Sequence, residues 1–354
     1  MPLTNQQKEK ISIEVIRVLA TKFDDFPIGS TGNRNAPFHE AFLNAFSNKL
    51  AGKVSDVPFF ISLASWLHGL NTTLGQTFFE NVAHILCNGE KREYTSKRLG
   101  NLHITQRQKS TINNIMSNLS TSTTTPNLTS ENNQIFQNHV PLTLVKAIDF
   151  SADVFYETAN EIVAIELKSV KPNSGEMRGE KMKILEGKAA LYRLFPGKKI
   201  CFYIGFPFDP TVNPACEDVT DYNKPRFLGS IINMNKYFDN GETLVASELW
   251  DFLSEQSNTM KDILEIINKI ATPDFLLKFQ LLQNNSERRN PTYTSQLIEW
   301  NLVSEKELIE KEALLCQRLT TSSLQRVYNK IAFDKNGYNW ERYGILKNVL
   351  NRPV

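Results

Sequence analysis

The stretch from Ala152 to Phe208 constrains the fold more than any other part of the chain. ADVFYETANEIVAIELKSV (152–170) alternates, is rich in Val, Ile and Phe, and has a turn-like Thr158-Ala159-Asn160 in its middle, so it predicts a β-hairpin. KKICFYIGFPF (198–208) predicts a third strand, whose apolar run suits a buried position. Between them, EMRGEKMKILEGKAALYRLF (176–195) sets Met182, Leu185, Ala189 and Tyr192 on one helical face. The order hairpin, helix, strand implies a mixed α/β core.

That core brings charged residues together. If the hairpin folds about residue 159, position 153 lies opposite 165, and Asp153 sits beside Glu166 at adjacent strand ends. Glu166 and Lys168 are two apart on one strand and so share a face. An Asp followed by a Glu-x-Lys triplet arises often by chance. Here, however, the triplet closes the apolar run Ile162, Val163, Ala164, Ile165, where ions cost desolvation energy unless partnered. Two carboxylates with the backbone carbonyl of Leu167 offer the oxygen ligands that Mg²⁺ prefers, with Mn²⁺ the expected substitute. Such an ion neutralises charge in phosphodiester hydrolysis and activates water, while Lys168 is placed to contact that water and the phosphate.

The rest of the chain narrows the function by exclusion. With 354 residues, 41% hydrophobic and 22% charged, it is globular in composition, and no apolar run approaches the ~20 residues of a membrane helix. The N-terminal MPLTNQQKEKISIEVIRVLA is amphipathic and lacks a signal peptide's apolar run, so cytoplasmic residence is expected. Cys87, Cys201, Cys216 and Cys316 lie too far apart in sequence for a CxxC pair and are expected to be reduced thiols. The histidines 39, 68, 84, 103 and 139 show no zinc-binding spacing, and without a Gly-rich phosphate loop no ATP requirement is implied. Net charge is +2, but residues 168–199 carry nine Lys or Arg against three Glu, a basic stretch directly after the Glu-x-Lys strand.

One elaborated domain is expected over residues 1–354. Residues 1–140 read as helical, with FHEAFLNAFSNKLA (38–51) and LGQTFFENVAHILC (74–87) as helices and Asn71, Thr72 and Thr73 as N-cap material for the second. The polar tract SNLSTSTTTPNLTSENNQ (117–134) reads as a flexible loop. Residues 141–254 form the catalytic α/β core, PACEDVTDYNKPRF (214–227) is a loop or insertion within it, and 255–354 form a helical C-terminal part.

The residues IELKSVKPNSGEMRGEKMKILEGKAAL (165–191), with DFSADVFYE (149–157) before them and ASELWDFLS (246–254) after, resemble the TdeIII/MjaII-type restriction endonucleases of the PD-(D/E)xK nuclease superfamily. The resemblance covers roughly a third of the chain. It implies a restriction-endonuclease-like core, a mixed sheet flanked by helices, with further helices at both ends. It also implies Asp153 and Glu166 as metal-binding acids and Lys168 as the catalytic lysine. The proline of a literal Pro-Asp pair is absent, since Ala152 precedes Asp153, and Asp149 competes for the place of first acid.

Glu80 resembles the helix glutamate that some superfamily members aim at the metal, and Glu180 and Lys181 are placed to reach a second ion or the phosphate; each also has an ordinary surface reading. Asn173 and Ser174 precede a helix where they can hold a DNA phosphate or cap the helix. For DNA contact the candidates are Arg178, Arg226, Arg288, Arg289 with Asn290, Lys97/Arg98 and Arg107/Lys109. The expectation is a type II restriction endonuclease in a bacterial or archaeal cytoplasm. It would be a homodimer cutting double-stranded DNA at a short palindrome, of the GGNCC type by resemblance, and leaving 5′-phosphate ends. Its rivals are a repair or recombination nuclease that recognises DNA structure, and a catalytically silent DNA-binding protein of the same fold.

Overall fold

The hairpin forms in the computed structural model, which describes residues 2–27, 37–54, 57–137, 143–168 and 176–352. It is the centre of a five-stranded sheet whose spatial order follows the sequence: β1 (Glu90–Tyr94), β2 (Phe150–Glu157), β3 (Glu161–Leu167), β4 (Lys199–Phe206) and β5 (Thr243–Val245). β1 and β2 pair antiparallel, as do β2 and β3, whereas β3/β4 and β4/β5 are parallel. The parallel step from β3 to β4 needs a crossover, and helix α4 (Glu176–Leu194) supplies it. The sheet is therefore mixed, as expected.

The expected register is off by one residue. Val154 faces Ile165 and Glu157 faces Ile162, because the turn is closed by the Thr158 N–H donating to the Glu161 carbonyl at 2.9 Å rather than pivoting on Ala159. One step further along that register, Asp153 faces Glu166 itself.

Ile162, Val163, Ala164 and Ile165 are all essentially inaccessible. Burying an isoleucine or valine is worth about 1.5–3 kcal/mol, so this run anchors the sheet. Neighbouring β4 residues point to opposite faces: Phe202 lies under Gly187 of α4, and the Tyr203 ring packs on Phe252 of α5 (Ser247–Ser254), centroids 5.4 Å apart. Gly187 is what lets α4 lie so close, since a Cβ there would stand 2.9 Å from Phe202 and 3.2 Å from Phe150.

Two sequence expectations fail in this part of the chain. The tract 117–134 is largely helical: α2 (Gln106–Ser120) starts at a capping box between Thr105 and Gln108, and α3 (Leu128–Ile135) is capped by Asn127 accepting from the Ser130 N–H at 2.8 Å. Few apolar residues suffice, with Ile112, Ile115, Met116 and Leu119 on one face of α2 and Ile135 ending α3. Glu131 of α3 is also buried, held by Lys181. Residues 1–140 are likewise not all helical, because β1 forms the sheet edge after helix α1 (Phe79–Cys87), and the strand His103–Thr105 pairs with Leu144–Lys146.

The chain divides into two compact units, one of residues 1–3 and 79–262, the other of 4–78 and 263–354. Among the described residues the second unit is helical apart from a small hairpin pairing Phe333–Asp334 with Gly337–Tyr338. Its first helix, Asn5–Asp24, carries the capping box of Thr4 and Gln7, and Glu9 accepts from the Ser304 N–H and Oγ–H, both at 2.6 Å. Buried Glu305 pairs with Arg342 at 2.6 Å and accepts from the Tyr338 hydroxyl at 3.0 Å. Asn71–Thr73 do not start a helix; they end Val57–Thr73, with the Thr72 and Thr73 hydroxyls donating back to the His68 and Gly69 carbonyls.

Candidate active site

At the ends of β2 and β3 the strand geometry converts spacing into contact. The Leu167 N–H donates to Asp153 Oδ2 at 2.9 Å, which fixes the carboxylate against the neighbouring strand. Lys168 Nζ lies 3.3 Å from Glu166 Oε1 and 3.2 Å from both Glu176 Oε1 and Glu180 Oε1, so α4 meets the motif from its own face of the sheet. Burial, and then the charge of Asp153, push the Glu166 carboxyl up to about 7. Burial alone would lower the Lys168 ammonium, but Glu166 and Glu180 outweigh it and hold this lysine above its ordinary value.

A second lysine reaches the acids from β1. Lys91 Nζ stands 2.9 Å from Asp153 Oδ1 and 3.0 Å from Glu80 Oε1. Glu80 and His84 are one turn apart on α1, and the His84 Nε2–H donates to the Asp153 backbone carbonyl at 2.7 Å. Burial raises the Glu80 carboxyl, with Asp153 adding to the rise against the pull of Lys91. Burial opposes the Lys91 charge, but Asp153 and Glu80 more than restore it.

Among the described residues five carboxylates, Glu80, Asp153, Glu166, Glu176 and Glu180, thus meet three ammonium groups, Lys91, Lys168 and Lys183, so that acids are in excess of lysines. A divalent cation would cancel that excess, and an all-carboxylate donor set is what Mg²⁺ takes. Among the described residues no three His, Cys, Asp or Glu side chains converge as a ready-made ion site; Lys91 and Lys168 stand between the acids instead.

The other sequence candidates separate cleanly. Glu80 and Glu180 join the cluster, but Lys181 does not: it is fully buried and bonded to Glu131 and Glu242, both at 2.5 Å. A one-residue step on α4 turns it 100° away from Glu180. Asp149 does not compete for the first acid, because it is exposed and bonded to Asn101 and Lys146. Asn173 and Ser174 lie outside the described residues. Arg288 is not free to read bases, since it is 5% exposed and donates to the Tyr328 and Lys330 carbonyls at 2.9 Å. Arg178 is exposed, as is Arg289, which pairs with Glu312 at 3.3 Å. Arg226 forks onto Glu217, Arg98 pairs with Glu93 and Lys109 with Glu186, while Lys97 and Arg107 are exposed.

Six of the nine cations of the basic stretch, Lys168, 181, 183, 188, 198 and 199, are each paired with a glutamate, while Lys171 lies outside the described residues. Sequence reading missed Lys91 and Glu176. The signal for Lys91 was Asn88-Gly89 after an apolar helix, a helix-stop pair: Asn88 has φ 52°, and a Cβ on Gly89 would meet the Phe155 carbonyl at 2.9 Å.

Comparison with known proteins points the same way. The family described as "Type II restriction endonuclease, HinfI" matches residues 3–271. The type II restriction enzyme MjaII of Methanocaldococcus jannaschii is 42% identical over 363 aligned positions, which cover 97% of this chain and 96% of that protein. No solved structure matches.

Proposed function

The chain belongs to the HinfI family of type II restriction endonucleases, and we propose that it hydrolyses double-stranded DNA at a short palindrome with Asp153, Glu166 and Lys168 at the reacting phosphate, as in a PD-(D/E)xK nuclease. The observation that carries this reading is the meeting of those three residues at the ends of two paired strands, where among the described residues acids outnumber lysines. Asp153 and Glu166, with the Leu167 carbonyl, would hold Mg²⁺, for which Mn²⁺ would substitute. When bound, the ion supplies charge neutralisation at the phosphate and acidifies water.

The side chains divide the remaining work. Lys168 is kept protonated by Glu166 and Glu180, so it donates to a phosphoryl oxygen and orients the attacking water rather than taking its proton. Glu180 holds Lys168 from α4 and acts through it as a positioning residue. His84 ties α1 to the Asp153 backbone, so the catalytic part extends beyond residues 141–254 to include α1 and β1. Cleavage of the bond on the 3′-oxygen side leaves 5′-phosphate ends.

A palindrome is two-fold symmetric, and two copies of the chain would place one such site on each strand. The highly exposed Phe38 and Phe42 of helix Pro37–Leu43, 81% and 77% accessible, support a self-associating apolar surface. Digestion of a sequenced, unmethylated plasmid with Mg²⁺ and with EDTA tests the reading. Discrete bands that need the metal are expected, and mapped ends would give the site and test the GGNCC type. A smear would indicate a nuclease guided by DNA structure or by none, and intact plasmid a silent DNA-binding protein.

A further inference from the structure

Lys91 contacts the first acid of the cluster directly, yet the catalytic reading gives it no role. It sits where the sheet is irregular: Glu90 faces Phe155 and Arg92 faces Ala152, so Asp153 and Val154 together oppose Lys91. Such bulges re-aim side chains, and this one falls where Lys91 lies opposite Asp153. The result brings an edge-strand lysine onto the first acid of the site.

The two oxygens of Asp153 are held differently. Oδ2 accepts from the backbone N–H of Leu167 at 2.9 Å and is fixed by the sheet, whereas Oδ1 is held at 2.9 Å by Lys91. Lys91 also donates to both oxygens of Glu80, at 3.0 and 3.2 Å. Its side chain is 38% exposed, against 17% for Lys168, so it has solvent to withdraw into.

We propose that Lys91 is a built-in counter-cation, standing between Glu80 and Asp153 in the metal-free protein and displaced by a divalent ion that takes Asp153 Oδ1 as a ligand. The inference rests on the proposed role of Asp153 in holding metal. Metal and ammonium then compete for one oxygen, and the departure of Lys91 frees Glu80 at the same moment. The displaced ammonium, on the sheet edge, gains a new partner when a DNA phosphate is present. Metal loading is therefore weak in free protein and coupled favourably to DNA binding.

Mn²⁺ binding to DNA-free protein, read from the electron paramagnetic resonance signal of the unbound ion, tests this. Lys91→Met, which keeps the length of the side chain without its charge, is expected to bind Mn²⁺ about tenfold more tightly than the unaltered protein. Lys91→Arg, which keeps the charge, is expected to remain near the original affinity. In EDTA Lys91→Met should melt lower, and Mn²⁺ should raise its midpoint by more. Should Lys91→Met not fold, Lys91→Gln serves for the same reading. Equal or weaker Mn²⁺ binding by the neutral variants overturns the role of Lys91 while leaving the site intact. Absence of Mn²⁺ binding that Glu166→Gln can remove, in every form, overturns the metal site and this proposal with it.

Discussion

Glu180 and Lys181 are neighbours on α4 but enter two different ionic clusters. Lys181 and Lys188 face Glu131 and Glu242 in a group that is at most 4% exposed, with contacts of 2.5 to 2.8 Å and equal numbers of each sign. Within it burial lowers the Lys188 ammonium, while Lys188 and Lys181 keep Glu242 below the usual carboxylate range against the effect of its own burial. Glu180 instead joins a group at the strand ends, where acids outnumber lysines and Lys91 is open to water. Burial and ion pairing are common to both. An excess of acids among the described residues, beside an accessible edge, belongs to one alone, and in the proposed function that is what would suit it to a metal and a phosphate.

This contrast predicts opposite consequences for similar substitutions. The largest effect is expected at the open cluster: Glu166→Gln should lower the cleavage rate about 10³-fold or more, with a melting temperature unchanged or raised because excess negative charge is removed. A large loss of stability instead would make Glu166 structural. Next, Lys181→Met leaves Glu131 and Glu242 facing one ammonium, and should cost about 3–5 kcal/mol in chemical denaturation. A cost near zero would mean the closed cluster is not what fixes α4. Glu180→Gln belongs between the two: a roughly tenfold fall in kcat is expected from a misplaced Lys168, with little change in KM.

The smallest effect sharpens the rule from outside both clusters. Lys311 and Lys347 hold the partly buried Glu307 carboxyl down to about 2. A folded value below the ordinary 4.5 means that its contribution is complete above about pH 4.5 and vanishes as pH falls toward 2. Glu307→Gln should therefore cost no more than about 1 kcal/mol near neutrality, and denaturation curves of the two proteins should converge between those pH values. A constant gap down to pH 2 would refute the ion pairing.

Much of this was legible in the sequence where a single period dominates. Val154–Tyr156 and Ile162–Ile165 are apolar runs on either side of the turn-like Thr158-Ala159-Asn160, and Ile200–Phe206 is apolar throughout, so the hairpin and the buried strand were readable, with Asp153, Glu166 and Lys168 as candidates at their ends. β1 was not, because Glu90-Lys91-Arg92-Glu93-Tyr94 contains one apolar-bodied residue; an edge strand pairs through its backbone, and its charges protect it from further pairing. With β1 unread, Lys91 was invisible. The helices within 106–135 were obscured in a similar way, since part of what α3 buries is Glu131, whose partner lies 50 residues away. Arg288 shows the converse error, a basic surface motif in sequence that is buried against backbone carbonyls in the fold.

The most direct test compares the two lysines by single-turnover cleavage with Mg²⁺, expressed per folded molecule. Lys168→Ala is predicted to fold and to cut at least about 10³-fold more slowly, while Lys181→Met, kept cold enough to remain folded, cuts within about tenfold of the unaltered protein. Cleavage by Lys168→Ala at the original rate would contradict the assignment of the open cluster as the catalytic one.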